Sequence, residues 1–164
     1  MDKHYLHSSF REKLIEHSLI GELLKRSWAN GDCALEVARP EVDNSGYDII
    51  LELKGVIRHV QFKTSKSTAK TNRQSIQLAL GDKPSGCVVW TFFSGPDLQL
   101  GPFLFFGGEP GVKLPSLDCH KTSKHTKGDS TGHKSERPNL RVVPKGAFRT
   151  LDTIDDLWTA LFGS

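Results

Sequence analysis

The fold is decided by residues 46–63, which read GYDIILELKGVIRHVQFK. Apolar side chains recur at every second position of Tyr47–Leu53, the period of a β-strand with one buried face. Lys54-Gly55 then predicts a tight turn, and the alternation resumes in a second strand over Ile57–Thr64. The stretch therefore predicts a β-hairpin.

This hairpin gathers three polar residues at one end of the predicted sheet. Asp48 lies at the start of the first strand, and Gln61 and Lys63 lie two residues apart on the second, so they share a face. Twelve residues separate Asp48 from Gln61, enough for a strand, a tight turn and a return strand. We therefore expect Asp48, Gln61 and Lys63 to face one way.

The grouping suits metal-assisted hydrolysis of a phosphodiester. A carboxylate such as Asp48 is the hard oxygen ligand that Mg²⁺ prefers, and Mn²⁺ accepts similar ligands. The Gln61 side-chain oxygen and the Phe62 backbone carbonyl can complete the protein's share of the ligands. Lys63, a compact cation, can hold the attacking water and steady the charge on the phosphate. Each residue also has an ordinary interpretation, because Asp48 can cap a turn and the other two can lie on a solvated face.

Gly46-Tyr47-Asp48, the twelve-residue gap and Gln61-Phe62-Lys63 resemble the PD-(D/E)XK nuclease superfamily, in the variant with Gln at the acidic position. The resemblance covers roughly residues 10–93. It implies an α/β fold with a restriction-endonuclease-like core, a central mixed β-sheet flanked by helices, and DNA as the substrate. Repair, recombination and defence against foreign DNA are the settings it suggests. Gln61 removes one negative charge from the expected site, so we expect weaker metal binding than with an acid there.

The resemblance also implies a Glu from the first helix, and two are available. Glu16 is followed at helical spacing by Leu19, Ile20 and Leu23, so we expect it to look toward the sheet. Glu22 has polar neighbours, which favours a solvated face. We therefore choose Glu16, although both acids can also be surface residues that pair with Lys or Arg.

The rest of the chain predicts one domain over residues 1–164, with a core over about 10–93. A helix is predicted for Phe10–Trp28, ended by Asn30-Gly31. Further strands are predicted over residues 34–38, 87–93, 101–106 and 140–143; residues 75–80 favour a strand, with a helix left open. A loop is predicted over about 113–139 and a closing helix over about 153–162. Residues 83–90, KPSGCVVW, resemble a bacterial protein family and imply no function of their own.

Charge is distributed unevenly along the chain. The net charge is only +3, yet residues 120–149 carry eight Lys/Arg against two acids, a local balance of 8 − 2 = +6. Such a segment indicates either a surface for a polyanion or a solvated loop. On the first interpretation the nucleic-acid contacts are Lys66, Lys70, Arg73, Lys121, Lys124, Lys127, Lys134 and Arg137.

Other classes are less well matched. No apolar run approaches the ~20 residues of a membrane span, so we expect no membrane partner. The first ten residues are polar, and the three cysteines form no CxxC pair, which favours a cytoplasmic protein. RNA remains open beside DNA, and a homodimer is open because nucleases that cut both strands commonly act as dimers. Two alternatives remain: an inactive nucleic-acid-binding protein with the same fold, and a protein whose basic segment meets an acidic protein partner.

Overall fold

The computed structural model describes residues 7–128 and 130–163; residues 1–6 of the polar N-terminal stretch and Asp129 of the basic segment lie outside this range. Helix α1 spans Ser8–Asn30, and α2 spans Ile154–Phe162. The strands are β1 (Glu36–Ala38), β2 (Ile49–Leu53), β3 (Val56–Lys66), β4 (Arg73–Gln77), β5 (Gly86–Ser94), β6 (Gln99–Gly107), β7 (Lys121–Lys124), β8 (Glu136–Pro144) and β9 (Arg149–Leu151). Short 3₁₀ helices cover Leu78–Asp82 and Lys145–Ala147.

The predicted hairpin is confirmed. β2 and β3 pair antiparallel, with Ile49 opposite Val60 and Leu53 opposite Val56. Lys54 and Gly55 connect them with φ angles of 49° and 86°. A two-residue turn with both central residues in the left-handed region matches the twist of the flanking strands, which explains why a glycine is found there.

The hairpin belongs to a six-stranded mixed sheet in the order β1-β2-β3-β5-β6-β9. β3 and β5 pair in parallel, and all other neighbours in this sheet are antiparallel. β5 is buried along almost its whole length, as its apolar sequence predicts. The mixed α/β architecture is therefore confirmed, although β6, β9 and α2 extend it well beyond residue 93.

The helices cover one face of this sheet only. Leu19 and Leu23 of α1 and Leu157 and Leu161 of α2 are buried in one cluster with the hairpin's inward side chains. The opposite face is covered by a second sheet, in the order β4-β8-β7, whose residues Ile76 and Val143 are buried in one cluster with Val88 and Trp90 of β5. Among the described residues, neither helix combines the length and the apolarity needed to cross a membrane.

The prediction of a basic loop over about residues 113–139 was wrong for part of this segment, because two strands enter it. β7 and the start of β8 fall within it and pair with each other, with Ser123 opposite Arg137 and Lys124 opposite Glu136. The sequence of β7, KTSK, carries no apolar alternation. It becomes a strand because its backbone pairs with β8. The apolar residue Val143 of β8 is buried in one cluster with Trp90 and Ile76. Tertiary pairing has overridden the local signal.

One buried charge ties α2 to the sheet. The Arg58 side chain is 0% exposed, while its neighbour Ile57 is 44% exposed. The Arg58 guanidinium donates to the carbonyls of Leu161 (2.7 Å), Ala160 (2.8 Å) and Gly108 (2.9 Å). The first two belong to the last turn of α2, whose carbonyls have no acceptor role inside the helix. A cation placed there also suits the negative end of the helix dipole.

We predict that Arg58→Met lowers the free energy of unfolding by about 3 kcal/mol or more, since hydrogen bonds to a charged group contribute about 1.5–3 kcal/mol each. Urea denaturation followed by tryptophan fluorescence measures the change. Ile57→Thr, on the exposed side of the same strand, is the control and should stay within about 0.5 kcal/mol. Equal stability of Arg58→Met and the wild type would contradict the role of this anchor.

Candidate functional site

The candidate site lies beside Ile49, the first residue of β2, where β3 continues beyond its pairing with β2. Pairing between the two strands stops at Ile49 opposite Val60, whereas β3 continues to Lys66. Asp48 closes the exposed edge: its N–H donates to the Val60 carbonyl at 2.8 Å, and its Oδ2 accepts the Phe62 N–H at 2.6 Å. The N–H and C=O of one strand residue point to the same side, so the Phe62 carbonyl faces this edge as well.

Helix α1 forms the other wall of a cleft at this edge. Ser9, Glu12, Lys13 and Glu16 follow the i, i+3, i+4, i+7 spacing of one helix face, and all four line the cleft. We call this the acidic cleft; it has a volume of about 460 Å³. Its remaining lining residues are Asp43, Asp48, Phe62, Lys63, Thr64 and Gln74. Four carboxylates thus meet two lysines, a surplus of negative charge.

The structure places Glu16 in the cleft and Glu22 away from it. Glu16 is 6% exposed; it accepts from Lys13 at 3.1 Å and also pairs with Arg39. The Glu22 side chain is 44% exposed and pairs with Lys25. The helical spacing of apolar residues was therefore sufficient to choose between the two acids. What it could not show is that Glu16 pairs with two cations, Lys13 and Arg39.

Asp48 and Lys63 share the cleft without forming an ion pair among the described residues. Burial raises the pKa of Asp48, and the charges of Glu16 and Asp43 raise it further, against the Phe62 N–H and Lys63. Burial lowers the pKa of Lys63, against the charge of Asp48, and Arg137 lowers it further. The two groups are thus close enough to interact electrostatically, and each is held in an environment that disfavours its charged form.

Gln61 is used differently from the prediction. It shares a face of β3 with Lys63, as expected, but its side chain is 7% exposed and does not line the acidic cleft. Its Oε1 accepts the backbone N–H of Gln77 at 3.3 Å. Gln61 therefore joins β3 to the end of β4, and its oxygen is not directed at a metal beside Asp48. The reason is the second sheet, which covers this face of β3 and which the sequence did not reveal.

A second depression lies against the cleft. It has a volume of about 690 Å³ and passes over the second sheet, and we call it the basic groove. It is lined by Lys63, Thr71, Asn72, Arg73, Gln74, Ser75, Lys121, Thr122, Ser123, Lys124, His125, Thr126, Lys134 and Val142. No acid is among these residues. Lys63 and Gln74 line both the groove and the acidic cleft.

The predicted nucleic-acid contacts divide into two groups. Arg73, Lys121, Lys124 and Lys134 line the basic groove, and Arg137 lies close enough to Lys63 to lower its pKa. The other three do not line it: Lys127 borders a neighbouring depression, Lys66 is the exposed last residue of β3, and Lys70 is exposed on the connection between β3 and β4. The groove also has hydroxyl and amide groups that the prediction missed, such as Ser75 and Ser123, whose hydroxyls lie 2.9 Å apart. Only the pairing of the strands could have shown them.

The oxygens at the edge of β3 fit a hard divalent cation. Within residues 7–128 and 130–163, no group of three or more His, Cys, Asp and Glu side chains is arranged to hold a metal. Mg²⁺ needs no such cage, because it keeps several waters and binds through one or two carboxylates together with substrate phosphates. The Asp48 carboxylate and the Phe62 carbonyl offer that kind of incomplete set. The charge of the partly buried Asp48 carboxylate is what a cation would offset.

In comparisons with protein-family models, curated proteins and solved structures, nothing matched this chain. No relative therefore assigns a role to the acidic cleft or to the basic groove. The chemistry of the site is inferred from its contacts, its burial and its charges.

We predict that Asp48→Asn raises the free energy of unfolding of the metal-free protein at pH 7. The fold raises the pKa of Asp48, so ionising this carboxyl destabilises the folded state. This loss of stability is full at pH values above the pKa of Asp48 in the folded protein. It disappears at pH values below the ordinary carboxyl pKa, where Asp48 is protonated in both states. Asparagine removes the charge and keeps an oxygen for the Phe62 N–H. Denaturation in EDTA at pH 7 and at pH 4 measures the effect, and the gain should shrink at the lower pH.

Asp156→Asn is the matched control, for which we expect a change in the free energy of unfolding of opposite sign. The Thr153 hydroxyl and N–H hold the pKa of Asp156 below its usual range in the capping box of α2. Removing that charge should therefore lower stability at pH 7. If Asp48→Asn also lowered stability in EDTA, the Asp48 carboxylate would be a structural group and not a destabilised site residue.

Proposed function

We propose that this protein is a nuclease that hydrolyses phosphodiester bonds with Mg²⁺ or Mn²⁺ held at Asp48. One observation carries the proposal: Lys63 lines both the acidic cleft, where Asp48 has no ion-pair partner among the described residues, and a groove lined with cations and no acid. An acidic cation site and a basic polyanion site thus meet at Lys63, the one charged side chain among the residues shown to line both. DNA is the expected substrate, because the resemblance of residues 46–63 implies it.

The sheet order supports the finer fold assignment. We propose that α1 with β1, β2, β3 and β5 forms a restriction-endonuclease-like core: an antiparallel hairpin that carries the site, a parallel buried strand beside it, and a helix that contributes Glu16. Parallel neighbours need a long crossover. Here β4 and the 3₁₀ helix Leu78–Asp82 occupy that crossover.

The protein's share of the metal ligands would be the Asp48 carboxylate and the Phe62 carbonyl. When bound there, a divalent cation supplies Lewis-acid polarisation of a phosphoryl oxygen and offsets the charge of the cleft. Without it, the surplus of carboxylates would repel a phosphate. This accounts for an acidic cleft at the end of a basic groove in a protein that takes a polyanion.

Lys63 is the second reacting group. Its lowered pKa means that its ammonium releases a proton more readily than an exposed lysine would. It can therefore orient the attacking water, hold the scissile phosphate from the groove side and transfer a proton. Glu16, fixed by Arg39 and Lys13, raises the pKa of Asp48 by its charge and orders the helix wall of the cleft.

We predict that Asp48→Ala and Lys63→Ala each lower the cleavage rate by about 100-fold or more, the size of effect that follows loss of a group stabilising the transition state. Cleavage assays identify the substrate class; they use plasmid, single-stranded DNA, branched DNA and RNA, each with Mg²⁺ or Mn²⁺. EDTA should stop the reaction. Glu22→Gln, an acid on the same helix but outside the cleft, should leave the rate unchanged. Cleavage that persists in Asp48→Ala would contradict the proposal.

A second candidate is a nucleic-acid-binding protein that does not cut. It is favoured by Gln61, which supplies no charge and accepts the Gln77 N–H, so Asp48 is the one carboxylate that the hairpin brings to the cleft. Binding that is independent of metal, falls steeply with salt and is accompanied by no cleavage would identify it. Absence of binding to any nucleic acid would leave an acidic protein as the partner of the groove.

We predict that Gln61→Leu keeps the affinity for Mn²⁺ within a few-fold of the wild type, because the Gln61 oxygen faces the Gln77 N–H. The substitution should instead lower the free energy of unfolding by about 1–3 kcal/mol, because the part-buried Gln77 N–H loses its acceptor. Electron paramagnetic resonance of Mn²⁺ titrations measures the affinity. Asp48→Asn is the comparison and should lose the metal. Loss of Mn²⁺ in a folded Gln61→Leu would restore Gln61 as a ligand.

A further inference from the structure

Helix α1 has an apolar stripe on the side turned away from the sheet. Phe10, Leu14, Leu24 and Trp28 are 72%, 42%, 44% and 77% exposed. Together with His17 and Gly21 they form what we call the outer stripe, whose members follow one another at intervals of four, three, four, three and four residues. That is the spacing of a helix face that packs against another helix.

The outer stripe is symmetric about Leu19. Phe10 and Trp28 are aromatic and lie nine residues on either side of it, and Leu14 and Leu24 lie five residues on either side. A two-fold interface brings the same patch of two copies together, each position meeting its symmetry-related partner. A stripe that reads alike in both directions is therefore complementary to itself in an antiparallel pair.

Gly21 gives a second indication. A glycine inside a helix costs about 1 kcal/mol relative to alanine. A Cβ added at Gly21 would meet nothing within 4 Å, so no contact inside the chain requires the glycine. Close approach of another helix at this point would require it. In an antiparallel pair centred on Leu19, the His17 imidazole of one copy would lie over Gly21 of the other.

The area is sufficient for such a pair. At the exposures given above, the four apolar side chains present about 500 Å² per chain, since an aromatic side chain buries about 150–250 Å². Two copies would remove about 1,000 Å² from water, near the lower bound of specific interfaces. Glu12 and Glu16 lie on the other side of α1, so both acidic clefts would stay open.

We infer that this protein forms a two-fold dimer through α1, with the two outer stripes antiparallel. Phe10 of one copy packs against Trp28 of the other, Leu14 against Leu24, and the helices approach closest at Gly21. The dimer is independent of the proposed nuclease activity, because none of the stripe residues lines the acidic cleft or the basic groove.

Sedimentation over a range of protein concentrations tests the association. Wild type should pass from monomer to dimer as the concentration rises, and Gly21→Leu should remain a monomer with a melting temperature at or above that of the wild type. Leucine has open space in the monomer and better helix propensity, but it blocks close approach. Ile57→Ser removes an apolar side chain as exposed as Leu24 from another surface and should leave the dimer unchanged.

Cross-linking tests the direction of the pair, in a background with the exposed Cys33 and Cys119 replaced by serine. The double variant Leu14→Cys/Leu24→Cys should form disulfide-linked dimers, and Leu14→Cys alone should not, because like positions are far apart in an antiparallel pair. A protein that is monomeric at every concentration would overturn the inference. So would dimerisation of Gly21→Leu, or efficient cross-linking through Leu14→Cys alone.

Discussion

The carboxylate of Asp48 accepts a hydrogen bond from β3 just before β2 begins, where a longer β2 would have supplied a backbone acceptor. A strand edge with unpaired N–H and C=O groups needs partners, and here the Asp48 side chain accepts the Phe62 N–H. Strand geometry directs the Phe62 carbonyl to the same side, and Phe62 lines the cleft there. The same interaction fixes Asp48 in a partly buried place among other acids, which raises its pKa. The bond that completes the sheet edge therefore also holds the Asp48 carboxylate at the place where the proposed chemistry needs it.

The two sheets divide the charges of the molecule. The large sheet and α1 enclose carboxylates, while the second sheet presents lysines, an arginine and hydroxyls in a groove with no acid among its described lining residues. Lys63 lies at the boundary because β3 contributes to both walls. A metal-assisted reaction on a polyanion needs opposite charges side by side, with the cation site acidic and the substrate path basic. This arrangement explains why a chain with a net charge of only +3 can still present a strongly basic surface.

The sequence was informative where local rules and tertiary structure agree. The hairpin followed from alternation and from Lys54-Gly55, and the choice of Glu16 followed from helical spacing. It failed where one element depends on another: β7 has no pattern of its own and pairs because β8 is there. Arg58 reversed the usual rule, burying a charge beside an exposed Ile57, because the carbonyls of α2 come from a hundred residues further along the chain. The contact of Gln61 was missed for the same reason, since the Gln77 N–H that it accepts belongs to the second sheet, which the sequence did not reveal.

The central claim is that a hard divalent cation binds at Asp48. A crystal grown with Mn²⁺ and measured at the manganese absorption edge tests it most directly, because anomalous scattering locates the ion without any assumption about activity. We predict an anomalous peak within coordination distance of the Asp48 carboxylate and the Phe62 carbonyl, with Gln61 still bonded to the Gln77 N–H. A structure without a peak there, in which Asp48 forms a direct ion pair with Lys63, would contradict it.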